Sequence, residues 1–69
     1  MLKIKRYVIE LAADRKRDLR GCIQFSAAHD LQENIEFCTK EIKRINTILN
    51  QCKYGYISDY EAVRQLIKE

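Results

Sequence analysis

Arg15 and Asp18 stand where the helical pattern of the chain calls for apolar residues. Ile4, Val8, Leu11, Leu19, Cys22 and Phe25 share one stripe at about 100° per residue, and Arg15 and Asp18 fall on it. A charge on a core-facing stripe costs roughly 3–5 kcal/mol if it is left without its partner. In one reading the two residues pair with charges on a neighbouring helix and set its register, or the stripe leaves the core at this point. In another, symmetric copies of Arg15 line a polar cavity of an assembly and hold an anionic ligand such as a phosphorylated small molecule.

A second constellation is cationic. Lys5, Arg6, Lys16, Arg17 and Arg20 project within about 120° of one another, opposite the apolar stripe. Residues 1–29 carry seven Lys/Arg against three Asp/Glu, whereas residues 30–69 carry six against seven, so the formal net charge of +3 belongs to the N-terminal segment. Such a strip suits a phosphate backbone or an acidic partner; it equally suits a solvated outer face. Glu10 dilutes it, and the pI near 8.9 falls short of a typical nucleic-acid module.

A third cluster is aromatic. Tyr54, Tyr56 and Tyr60 gather around Gly55 with Arg64 close by in sequence, the residue types that dominate binding hot spots. Tyrosines packing over the end of a helical pair with their hydroxyls in water would read the same way. A helix-turn-helix reading of this region is disfavoured. The first turn of the last helix offers Asp59, Tyr60 and Glu61, which repel phosphate, and leaves Arg64, Gln65 and Lys68 to help.

Catalytic signatures are missing from the sequence. There is one histidine, His29, with no glycine-rich phosphate loop, no H-E-x-x-H and no nucleophile motif. Cys22, Cys38 and Cys52 are odd in number, lack zinc-site spacing and lie on apolar stripes, so they read as small buried hydrophobes in a reducing compartment. The expectation is a non-enzyme without cofactor or metal. No apolar run approaches the roughly 20 residues of a membrane span, and the N-terminus lacks the form of a signal peptide. A cytoplasmic protein with no membrane partner is expected.

The elements that position these residues are helical throughout. With no proline and two glycines in 69 residues, the composition argues for long helices in a single domain. Leu31, Ile35, Cys38, Ile42, Ile45, Leu49 and Cys52 step alternately by four and three, an a/d coiled-coil seam. Asp30 with Glu33 resembles a capping box for that helix, and Gly55 marks its stop. Ser58 and Glu61 form a second capping box, Ile57 is placed to staple onto Ala62, and Tyr60, Val63, Leu66 and Ile67 make the apolar face of a short last helix. Gly21 either breaks the first helix or sits inside it; the phase of Cys22 and Phe25 favours continuity. The stretch from Gly55 onward resembles the short C-terminal helical motifs, with a Gly-x-Ile-Ser turn before an acidic helix start, that some bacterial proteins use for oligomerisation or docking.

The expected architecture is all-α: an antiparallel helical hairpin, residues 2–28 and 30–53, plus a short helix, 58–68. A domain of this size buries little core, and Phe37 and Ile48 share a second apolar face. Assembly into a symmetric helical-bundle homo-oligomer through Ile35, Phe37, Ile42, Ile45, Ile48 and Leu49 is therefore expected. The functional expectation is a small interaction protein that self-associates and binds or inhibits a partner protein, as an adaptor, inhibitor or accessory factor of the kind phage and mobile elements encode. The alternative is an anion binder, holding nucleic acid on the basic face or a phosphorylated ligand at Arg15.

Overall fold

A computed structural model describes residues 4–67, and every regular element among them is a helix: α1 spans Arg6–Ala28, α2 Gln32–Lys53 and α3 Asp59–Ile67. The expected helical residues 2, 3 and 68, and Lys68 as a candidate phosphate contact, lie outside the described residues. α1 passes through Gly21 without interruption, and no atom lies within 4 Å of where a Cβ would stand there. That glycine serves neither a break nor a close approach.

The helix ends explain where the chain turns. α1 finishes in a Schellman motif: Leu31 N–H donates to Ser26 O (2.8 Å), Asp30 N–H donates to Ala27 O (3.3 Å), and Asp30 has a left-handed φ of 58°. Asp30 is thus the residue after the α1 C-cap and not the N-cap expected for α2. The N-cap of α2 is Leu31, which supplies no side-chain hydrogen bond. Asp is one of the few non-glycine residues that enter the left-handed region readily, so the local sequence suits both roles and the turn uses the other one. α2 ends the same way. Tyr56 N–H donates to Gln51 O (2.8 Å) and Gly55 N–H to Cys52 O (3.2 Å), with Gly55 at φ 80°. α3 starts on a side-chain cap, Glu61 N–H donating to Ser58 Oγ at 3.1 Å.

All three helices meet in one core. Val8 and Ala12 of α1, Ile45, Ile48 and Cys52 of α2, and Ala62 and Leu66 of α3 are buried together, with Ile4, Leu11, Leu19, Leu49, Ile57 and Val63 packed around them. Polar ties link the elements. Lys16 Nζ donates to Asn46 Oδ1 (3.0 Å) between α1 and α2. Arg44 Nη1 donates to Gln65 O (3.1 Å) while Arg44 Nη2 bonds Glu41 Oε2 (3.0 Å), and the Cys52 thiol donates to Asp59 Oδ1 (3.1 Å).

Three apolar expectations are corrected. Cys22 and Phe25 are exposed, and the inward position at that level belongs to Ser26, which is fully buried. Val8 and Ser26 are eighteen residues apart, five full turns, whereas Phe25 is rotated by about 100° from that line. On α3, Tyr60 and Ile67 are exposed and the buried pair is Ala62 and Leu66, one turn apart. Tyr60 and Ile67 project about 100° or more from both members of that pair. Ile48, expected on an open face with Phe37, is buried with Ile45 in the core that α3 completes.

Candidate interaction surface

Because Ile45 and Ile48 are consumed by the core of a single chain, they are unavailable to a second one. Ile35, Ile42 and Leu49 are half-buried. Of the expected interface residues, Phe37 is the one left open, 63% exposed. Two further apolar residues are open as well. Phe25 is 59% exposed and its ring lies 4.3 Å, centroid to centroid, from His29, while Leu31 is also exposed in the α1–α2 turn. The signal was present in the sequence: Ser26, not Phe25, is in phase with Val8.

At the other end, Tyr54, Tyr56 and Tyr60 are all exposed. Lys53 Nζ stands 5.7 Å from the centroid of the Tyr54 ring, within cation–π range. Arg64 is exposed, and its Nε lies 3.4 Å from Glu61 Oε2. That oxygen is shielded from solvent and accepts no hydrogen bond among the described residues.

The basic strip is partly spent within the chain. Lys16 is half-buried and bonded to Asn46, and Arg17 Nη2 pairs with Asp14 Oδ1 at 2.6 Å. Lys5, Arg6 and Arg20 are exposed. Arg15 is half-buried and Asp18 exposed, and neither makes an ion pair among the described residues. The apolar stripe therefore leaves the core at this level, between Ala12 and Leu19.

The cysteines divide by environment. Cys38 and Cys52 are buried and Cys22 is exposed, so the expectation of three buried thiols is corrected for Cys22. Burial pushes the Cys38 thiol above its ordinary value, and the neighbouring Cys22 thiol adds to the shift by hydrogen bond and charge. Burial, then the hydrogen bond to Asp59, pushes the Cys52 thiol up to about 11. Both groups are held as neutral thiols near neutral pH, so neither is primed as a nucleophile toward an outside substrate. Among the described residues no group of three or more His, Cys, Asp or Glu is placed to hold a metal ion. No helix among them is long and apolar enough to cross a membrane. Compared with known protein families, with characterised proteins and with solved structures, the chain matches none.

Proposed function

We propose that the chain is a non-enzymatic interaction protein in which α1 and α2 form an antiparallel hairpin, α3 caps one end, and two chains associate through the uncapped remainder of the side on which α3 lies. The observation that carries this reading is the exposure of Phe25 and Phe37, 59% and 63%. Three features support the hairpin. A connection of three residues joins the long helices. Each is about 33–35 Å long, yet the longest dimension of the molecule is 41 Å. The Lys16–Asn46 bond spans the two.

Helical phase then gives the two phenylalanines a common side. Phe25 precedes the buried Ser26 and Phe37 precedes the buried Cys38. In an antiparallel pair, residues one step before the inward position project to the same side of both helices. Arg44, one step before the buried Ile45, reaches Gln65 of α3, so α3 occupies that side too. It spans nine residues, about 13 Å of helix, which leaves the turn end of the groove uncovered. Asp18 precedes Leu19 by one step and Arg15 by four, so their charges border the same open stretch. A two-fold contact sets Arg15 of one chain against Asp18 of the other, the self-complementarity that an isologous interface requires. The resulting assembly acts by occupying a partner protein's surface, with the Tyr54, Tyr56 and Tyr60 cluster as a further contact patch. The anion-binding alternative has less support, because Lys16 and Arg17 are engaged within the chain.

Native mass by light scattering across concentration tests this. The wild-type chain is expected to be a dimer or larger species. Phe37→Asp removes on the order of 100 Å² of apolar contact per chain, which raises the dimer Kd by roughly three to four orders of magnitude without lowering helix content. A monomer at every concentration overturns the self-association. Excess absorbance at 260 nm on the same peak favours nucleic acid.

A further inference from the structure

We infer that Cys22 and Cys38 form a dithiol site which a low-molecular-weight disulfide, such as oxidised glutathione, converts to an intramolecular disulfide tying α1 to α2. The inference rests on the hairpin proposed above. Asp30 sits in the middle of the turn, and Cys22 and Cys38 are each eight residues from it, so an antiparallel register opposes them. The same register relates Val8 and Cys52, both twenty-two residues from Asp30 and both in the core, and approximately the bonded pair Lys16 and Asn46. Cys22 is near enough to Cys38 to push that thiol's pKa up, and its sulfur lies 4.0 Å from Ser26 Oγ. Cys22, Ser26 and Cys38 are all small side chains, which suits the short reach of a disulfide.

The unequal exposure of the two thiols sets the order of events. Cys22 is open to solvent and Cys38 is buried. The Cys22 thiolate attacks one sulfur of the glutathione disulfide; the S–S bond breaks, one glutathione thiolate leaves, and a mixed disulfide forms on Cys22. Cys38 then loses its proton to water and attacks the Cys22 sulfur, expelling the second glutathione thiolate. The net change oxidises two protein thiols by two electrons and reduces one glutathione disulfide to two glutathiones. Cys52, buried against Asp59 at the other end of α2, takes no part.

The full chain is equilibrated in glutathione buffers of graded redox poise, its remaining thiols are alkylated, and it is read by intact mass and a non-reducing peptide map. The expected product is a single chain lacking two hydrogens, with Cys52 alone alkylated and the Cys22 and Cys38 peptides linked. Its Tm should lie on the order of 10 °C above that of the reduced form, because the bond closes a loop of about 15 residues. Cys38→Ala should stop at one glutathione adduct on Cys22, and Cys22→Ser should give neither product. Persistence of the Cys22 adduct in the wild type, or chains linked through Cys22, overturns the inference. Nuclear Overhauser contacts between Ala12 and Ile48 in the reduced protein report the hairpin independently. Those contacts without the disulfide overturn the dithiol site alone; absence of both overturns the hairpin as well.

Discussion

Replacing Asp30 by glycine should make the protein more stable. Asp30 is held at φ 58°, a region that costs an L-residue about 1–2 kcal/mol, with Asp at the lower end because its short polar side chain tolerates it. Glycine removes that cost but adds roughly 0.4–1 kcal/mol of backbone entropy to the unfolded chain. The difference leaves Asp30→Gly about 0.5 kcal/mol more stable, a rise in Tm of roughly 2–4 °C for a domain of this size. The opposite substitution at the matching position is the control: Gly55→Ala forces a Cβ into φ 80° and should cost about 1–2 kcal/mol. The carboxylate of Asp30 lies past the negative end of the α1 dipole and before the positive end of α2, so its dipole effects oppose each other, and high salt removes the remainder. Urea and thermal unfolding followed by far-UV circular dichroism, in low and high salt, give the numbers. An N-cap ranks the same residues the other way, with Asp better than Gly by a few tenths of a kcal/mol. An Asp30→Gly protein that melts below the wild type in high salt would refute the assignment of Asp30 to the α1 terminus.

The thiol of Cys52 gives a pH prediction of definite sign. Its folded pKa of about 11 lies above the ordinary value of 9.0, so its contribution is complete below pH 9 and is lost as pH rises through 11. The loss is about 2 kcal/mol, measured by urea unfolding at pH 8–11, and Cys52→Ala should flatten that slope. Ser58→Ala removes the side-chain cap at the start of α3 and should cost about 1 kcal/mol in the same assay, with Ser58→Asp restoring it.

The features that could be read from the sequence were those fixed by a single local cause. Gly55 stops α2 because its φ excludes a side chain, and Ser58 starts α3 because its hydroxyl reaches Glu61 N–H. The heptad of α2 was legible in the same way, since Cys38, Ile45 and Cys52 are spaced by seven and all buried. What escaped was decided by packing between elements. Asp30 had two compatible local roles, and the turn places it after the α1 C-cap, at φ 58°. Ser26 displaced Phe25 from the interior because phase over five turns outweighs the greater hydrophobicity of a residue one step away. Ile48 read as surplus surface since nothing in α2 itself announces where α3 will lie. The candidate surface changed accordingly: Phe37 remained, Phe25 entered, and Ile45 and Ile48 left.

The interior is unevenly filled along its length. The core that α3 completes holds Val8, Ile45, Ile48 and Leu66, whereas the buried Ser26 and Cys38 lie outside that cluster. Branched side chains bury far more area than a hydroxyl or a thiol, so local opening around Ser26 and Cys38 takes less free energy than around Ile45 and Leu66. Amide protons around Ser26 and Cys38 should therefore exchange with solvent before those around Ile45 and Leu66, which exchange with global unfolding.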